Sequence, residues 1–396
     1  MKRREFLKTA PVFSVGFVLF PFGSIAQTSR EKASYSAFPY LKVRGSYQEI
    51  GFQIGRHFRD SIRTVINLRS DWHNHLLQIL ESPKGKQLSE ELRRLTNKHF
   101  PHLLKEIEGL ADGAGFHFRA IWAITIKSEL GAFEAENPGC STIVNNQLNQ
   151  HWLFHNEDGH NAYHECMFVV QVSPPSGVDF ISMVYPGTLT GNGPSMNRYG
   201  VIQTTNFISS TKSHVGLPRY ILGRAILEAR SLEEAVQIAT MEPRSYPYHH
   251  NLASVSEKKY LSVETTPKAQ LVYQPDGIYF HTNHLLQPIT RASHPYEDAD
   301  YVNGSSRSRY RVIESGVKRL RKQPSLKVTD FLQILSSHRS APYSPCRHPM
   351  GDVQGRTLGT AFFNLEKGVF RLYRGNPCIA VVNNFYREYS FSGDGR

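Results

Sequence analysis

Two rhythms divide the chain. Over 46–130 apolar residues recur at helical spacing, with Ile50, Ile54, Phe58, Ile62 and the Val65-Ile66 pair on one face of a 3.6-residue period. Just ahead of them Ser46-Tyr47-Gln48-Glu49 has the form of a capping box, in which serine and glutamate satisfy free backbone N–H groups. Further helices are predicted over 71–80, 88–98 and 101–111, the last ended by Gly113 and Gly115. From residue 140 onward short runs rich in β-branched and aromatic residues take over: 141–144, 152–155, 167–172, 179–185 and 199–206. Two helices interrupt at 218–229 and 232–241, the second opened by a capping box at Ser231-Leu232-Glu233-Glu234. Strands resume at 252–256 and 260–264 around a lysine-containing turn, and 271–273 and 278–281 flank Pro275-Asp276-Gly277, which reads as a hairpin turn. A helix over 328–336, a hairpin of 360–364 and 369–373 about Glu366-Lys367-Gly368, and a last strand over 379–385 complete the pattern. Helices in blocks and strands in blocks predict an α+β fold in which helices cover two sheets.

The first residues stand apart from that pattern. Arg3-Arg4-Glu5-Phe6-Leu7-Lys8 has the twin-arginine form, and an apolar stretch from Ala10 to Phe22 follows, broken by Pro11 and Pro21. That stretch is too short for a bilayer, which needs about 20 apolar residues. Ser24-Ile25-Ala26 then supplies a small-x-small exit before Gln27. Residues 1–26 are therefore expected to be a removable signal peptide, and the protein to be exported by the twin-arginine route to the periplasm or beyond. No later segment is apolar enough for stable membrane insertion. Residues 27–396 suffice for one large domain or two moderate ones.

The formal charge of +12 falls to +9 without the leader, which carries four basic residues against one acid. The basic clusters at 307–311 and 318–322 read as solvated surface, because no aromatic interleaving or nucleic-acid motif accompanies them. No nucleic-acid partner is expected. Four cysteines, Cys140, Cys166, Cys346 and Cys378, are too few for a disulfide scaffold, although Cys346 and Cys378 are free to pair in an oxidising compartment.

Candidate chemistry centres on Glu136-Asn137-Pro138-Gly139-Cys140-Ser141-Thr142-Ile143. A small residue before a cysteine, then hydroxyl residues and an apolar strand, is the pattern of a self-cleaving N-terminal-nucleophile hydrolase. Scission before Cys140 would place a free α-amine beside its thiol. Such an amine titrates near 8, so one residue supplies both nucleophile and base. Gly139 leaves its carbonyl unhindered. Taken alone, a cysteine at a strand start is equally a buried small hydrophobe.

The surroundings resemble a known family. Gly45-Ser46-Tyr47-Gln48-Glu49-Ile50-Gly51-Phe52-Gln53-Ile54-Gly55 is similar to its opening motif, and Gly109-Leu110-Ala111-Asp112-Gly113-Ala114-Gly115 to the helix end before its nucleophile. Gly139-Cys140-Ser141-Thr142 resembles its cleavage site. Asn156-Glu157-Asp158, Gly191-Asn192-Gly193, Asn197, Pro218-Arg219, His281-Thr282-Asn283-His284, Ser306-Arg307-Ser308-Arg309, His338 and Cys346-Arg347-His348 follow in the expected order. This ordered set resembles the acyl-coenzyme A:6-aminopenicillanate acyltransferase-like proteins, cysteine N-terminal-nucleophile hydrolases of the C45 peptidase type, over nearly all of residues 41–377.

The resemblance implies a four-layer αββα sandwich and scission between Gly139 and Cys140 through a thioester. It implies a helical α chain, 27–139, and a β chain, 140–396, which stay associated as one composite domain. Cys140 is implied as nucleophile, Asn283 as the amide that stabilises the tetrahedral oxyanion, and Thr142 and Asp158 as residues orienting thiol and amine. Ser306 and Arg309 are implied as support for processing or acyl transfer; read from the residues alone, they fit a solvated helix start equally. Two positions depart from the family pattern: Ser141 stands where threonine is commoner, and Gly159 stands where many relatives carry tryptophan, removing an aromatic wall.

The preferred reaction is hydrolysis of a small N-acyl or peptide-like amide, because an exported enzyme meets little coenzyme A. Transfer of the acyl group to an amine is the alternative, and no cofactor or metal is expected. A different class also fits the residues: a non-catalytic protein of the same fold, or a metal site built from His155, His160, His164, Glu165, Glu157 and Asp158. Against the metal site, a helical His-Glu-x-x-His arrangement is absent and the flanks read as strand and loop.

Overall fold

The computed structural model of the chain describes residues 37–131, 139–294 and 300–391. The twin-arginine leader, and Glu136, Asn137 and Pro138 ahead of the Gly139-Cys140 pair, lie outside the described residues. Strand β1 (Tyr40–Arg44) precedes six helices: α1 (Tyr47–His57), α2 (Arg59–Leu68), α3 (Ser70–Glu81), α4 (Pro83–His99), α5 (Pro101–Ala114) and α6 (Phe118–Thr125). The Ser46 capping box closes α1 as expected, and Gly115 ends α5 in the left-handed conformation, with φ at 75°.

The quoted glycines of the two N-terminal motifs have a packing role. Gly51 and Gly55 on α1 face Gly109 and Gly113 on α5. A Cβ on Gly51 would lie 2.0 Å from the Glu106 carbonyl oxygen, and one on Gly109 would lie 1.9 Å from that of Gln48. The two helix backbones touch, and only glycine allows it.

Two sheets follow. One orders β1, β4 (Phe168–Ser173), β5 (Phe180–Val184), β6 (Ser195–Asn197), β7 (Val201–Phe207), β8 (Tyr248–Ser254), β9 (Lys259–Thr265) and β10 (Gln270–Tyr273). The other orders β11 (Gly277–His281), β2 (Cys140–Gln147), β3 (Gln150–His160), β12 (Gly355–Asn364), β13 (Val369–Arg374) and β14 (Tyr386–Ser390). Strand alternation sends one set of side chains between the sheets: Val169, Ile181, Met183, Ile202 and Ala253 meet Val144, Leu153, Ala361, Phe363 and Leu372. The opposite set on the first sheet, with Phe168, Val170 and Phe180, packs under α1–α6. The helices α7 (Arg219–Ile226) and α8 (Leu232–Ala239) lie on the same side, with α8 over Leu252 and Val263. On the second sheet Ile143, Phe154 and Phe362 pack beneath α10 (Asp300–Leu320) and α11 (Val328–Leu335). Helix, sheet, sheet, helix is the order, an α+β four-layer αββα sandwich as the resemblance implied. Among the described residues no helix is long and apolar enough to cross a membrane.

The segment before residue 140 is mainly helical, and its one described strand, β1, joins the first sheet as a parallel partner of β4, from Tyr40↔Val169 to Arg44↔Ser173. Two elements differ from expectation. Pro275-Asp276-Gly277 makes no hairpin: β10 pairs with β9 in one sheet and β11 with β2 in the other. The turn is the crossover between sheets. The strand expected over 379–385 is a short helix, α12 (Pro377–Ala380), then a turn, and the true edge strand β14 begins at Tyr386. Pro377 at the first helical position presets φ for a helix, which apolar content alone does not reveal. A short helix α9 (Pro288–Ser293) and a 3-10 turn over Asn161–Tyr163 complete the described elements.

Candidate active site

Cys140 is the first residue of β2 and pairs across the ladder with Glu157 of β3. Only 4% of Cys140 is exposed, and its side chain enters the layer between the sheets. The thiol donates to Glu157 Oε1 at 3.5 Å. Burial, then the negative charges of Glu157 and Asp158, push the thiol well above its usual pKa; the Asp158 backbone N–H and Arg309 oppose them.

Glu157 anchors a buried polar chain. Tyr185 donates to its Oε1 at 2.6 Å, and its Oε2 lies 3.2 Å from His155 Nε2. His155 Nδ1 is 2.8 Å from Thr142 Oγ1, which donates to Asn206 Oδ1 at 3.0 Å on the facing sheet. Thr142 thus reaches the thiol only through His155 and Glu157. The tryptophan position at Gly159 is not left open, because a Cβ there would lie 2.7 Å from Leu358 Cδ1 and 3.2 Å from Tyr185 Cε1.

The backbone side of Cys140 faces a second group. Its N–H donates to Asn283 Oδ1 at 2.9 Å, and Asn283 Nδ2 donates to the Phe207 carbonyl oxygen. Arg309 donates through Nη1 to the Cys140 carbonyl oxygen at 2.7 Å and to Ser141 Oγ at 3.1 Å, and through Nη2 to Asn283 Oδ1 at 2.6 Å. Ser306 accepts from the Asn283 N–H at 2.8 Å and so fixes the loop after β11. Ser306 and Arg309 are each only 1% exposed, which overturns the reading of 307–311 as a wholly solvated cluster and of these two as a solvated helix start. Gly139 lies under the guanidinium: a Cβ would stand 2.5 Å from Arg309 Nη2 and 3.3 Å from Arg347 Nη1. A side chain at that position would force apart groups that grip the Gly139-Cys140 linkage.

Asp158 points to the other face of β3, accepting from Thr357 Oγ1 at 2.7 Å. Burial raises its carboxyl to about 7, against the favourable charges of Arg347 and Arg309. Free carboxylates ionise near 4, so between these values the folded chain holds a proton that the unfolded chain releases. The folded state is therefore favoured below about pH 4, and this contribution, on the order of a few kcal/mol, is lost as pH rises through 7. In an uncleaved Cys140→Ala background, Tm is expected to fall between pH 5 and pH 8, and Asp158→Asn to flatten that fall. An unchanged slope in thermal melts would show that Asp158 does not carry it.

The metal-type string considered from sequence is split by strand alternation. His155 and Glu157 face inward with Cys140, Asp158 faces outward, and His164 pairs with Glu165 at 3.2 Å beyond the strand end. Cys346 and Cys378 are free thiols. Sequence reasoning passed over the partnership of Glu157 and Tyr185 with the thiol, and over Arg347. The readable signal for Glu157 was its place two residues after His155 on a strand, and for Arg347 its place inside the Cys346-Arg347-His348 string.

The family model for acyl-coenzyme A:6-aminopenicillanic acid acyl-transferase matches residues 145–378, more than half of the chain. The chain belongs to this family. Among its relatives is β-alanyl-dopamine/carcinine hydrolase of Drosophila melanogaster, 25% identical over an alignment of 380 positions that covers 86% of this chain and 94% of that protein. Another is the 40 kDa form of acyl-coenzyme A:6-aminopenicillanic-acid-acyltransferase of Emericella nidulans, 23% identical over 87% of this chain and 96% of the relative. This family member is accordingly an enzyme of the broad hydrolase or acyltransferase kind. Solved structures similar in shape include a mutant conjugated bile acid hydrolase from Clostridium perfringens, with TM-score 0.44 and 14% identity over 65% of this chain and 93% of that one. The Caenorhabditis elegans orthologue of N-acylethanolamine-hydrolyzing acid amidase is another, with TM-score 0.40 and 13% identity over 57% and 93%.

Proposed function

We propose that the protein is an exported N-terminal-cysteine amidohydrolase that matures by breaking its own Gly139–Cys140 bond. The observation that carries the reading is the setting of Cys140, whose thiol lies on Glu157 while its backbone nitrogen lies on Asn283 and its carbonyl on Arg309. The thiol attacks the Gly139 carbonyl, the bond to the Cys140 nitrogen breaks, and a thioester forms. Water then releases the Gly139 carboxylate and returns the thiol. The freed α-amine inherits the contact with Asn283 Oδ1 and is positioned as base for the thiol beside it.

In turnover the same thiol attacks a substrate amide, releases the amine and leaves an acyl thioester for water to open. Asn283, turned so that its amide faces the reacting carbonyl, is assigned as oxyanion donor, a contribution of about 3–4 kcal/mol for one such donor. Asp158 holds the ammonium form of the amine, and Thr142 orients Glu157 through His155. The relative named for hydrolysing β-alanyl-dopamine and carcinine supports hydrolysis of small N-acyl amides over transfer. Purified cleaved protein given β-alanyl and other N-acyl amides is expected to release free amine and free acid. If an added amine captures the acyl group in preference to water, transfer is the reaction. If no acyl bond in the panel breaks, the amide reading fails.

A further inference from the structure

A second cluster of reactive side chains lies outside the reaction centre. His338 follows α11, Cys346 and His348 lie in the loop before β12, and Cys378 is in α12. One ligand atom from each falls within 4.8 Å of all the others. His348 Nε2 is 3.6 Å from Cys346 Sγ and 3.4 Å from Cys378 Sγ. Zn–S and Zn–N bonds of about 2.3 and 2.0–2.1 Å put the edges of a tetrahedral Cys2His2 site at roughly 3.3–3.8 Å. Both distances fall on that edge length. The rings of His338 and His348 meet at 5.0 Å and 82°, so two nitrogens approach one point from different planes. Outer support is also in place: Asn376 donates to Cys346 Sγ at 3.5 Å.

We infer that His338, Cys346, His348 and Cys378 bind one structural Zn2+. Two thiolates and two imidazoles are a zinc donor set, and four protein ligands close the tetrahedron, leaving no position for substrate. Binding requires both thiols to lose their protons to solvent. His338 is exposed, which gives the ion an entry side, while Cys346 is buried. The site has a consequence for the reaction centre, because Arg347 lies between two of the ligands. Its backbone N–H donates to Thr357 Oγ1, and its side chain reaches the space beside Gly139. Zinc would fix the loop that aims this guanidinium.

The test uses the full chain carrying Cys140→Ala, which removes the thiol of the reaction centre and makes the readout independent of self-cleavage. Elemental analysis after exhaustive dialysis is expected to give about one zinc per chain, retained in Cys166→Ser and lost in Cys346→Ser/Cys378→Ser. Should the double variant not fold, the parent chain stripped with chelator is expected to melt lower and to recover on adding Zn2+, and Co2+ is expected to give the visible absorption of a tetrahedral thiolate site. Zinc held equally by a folded double variant would overturn the site. So would a stripped chain indifferent to Zn2+ and Co2+, or Cys346 and Cys378 recovered as one disulfide-linked peptide.

Discussion

Replacing Cys140 with alanine is expected to leave one polypeptide where the wild type yields two, and to abolish amide cleavage. Intact mass of the purified exported protein should show wild-type chains beginning at Gln27 and Cys140. The variant should differ from an uncut chain only by its substitution. The effect is large because one thiol serves both reactions, and loss of a nucleophile costs hydrolases on the order of 10⁶-fold in turnover. The two wild-type chains should still elute together without denaturant. Strand β1 belongs to the first chain yet pairs with β4 of the second, and Ile50, Ile54 and Ile107 share a core with Phe168 and Val170. Separating the chains would expose that core to water, at about 25 cal/mol for each Å2 of apolar surface. A single uncut chain in the wild type would sink the proposed mechanism and favour a binding protein on the same fold.

Where sequence reading succeeded and failed follows from the range of the interactions involved. The capping box at Ser46 and the glycine stop at Gly115 rest on groups within a few residues of each other, and both are present. The strand Phe168–Ser173, which opens with three buried apolar residues and has half-buried Gln171 and Ser173 further on, was equally visible from its β-branched content. The Pro275-Asp276-Gly277 turn shows the limit. Its residues specify a reversal, but the two flanks part: β10 pairs with the neighbouring β9, whereas β11 pairs with β2, where Gly277 faces Asn146, more than 100 residues away in the chain. At the site, the family pattern brought Cys140, Asn283, Ser306 and Arg309 to notice, and the fold gathers them around the Gly139-Cys140 linkage. The burial of Arg309 was not legible, because its neighbours Arg307 and Arg311 make the local sequence look solvated. Glu157 was hidden differently. It sits in a run of polar residues whose alternate members face opposite layers, and only the ladder pairing shows which one meets the thiol.

Glu157→Gln is expected to slow self-cleavage by about 10²–10⁴-fold while affecting turnover of already cleaved enzyme much less. Before scission the Cys140 nitrogen is an amide and cannot act as base. The thiol is held protonated by burial and by two carboxylates, so something else must take its proton. Glu157 Oε1 is the carboxylate oxygen in contact with it, and Tyr185 and His155 fix that group from two sides. Glutamine keeps the shape but cannot accept the proton, so the attacking thiolate becomes rare and cleavage lags. Once the bond is broken the new α-amine takes over, which is why the two rates should separate. The measurement is the time course of chain splitting in freshly translated protein, followed by amide hydrolysis with the fraction that has matured. Equal losses in both rates would place Glu157 in turnover itself. An unchanged rate of splitting would remove it from maturation, leaving its buried contacts with Tyr185 and His155 as structural support for the strand that faces Cys140.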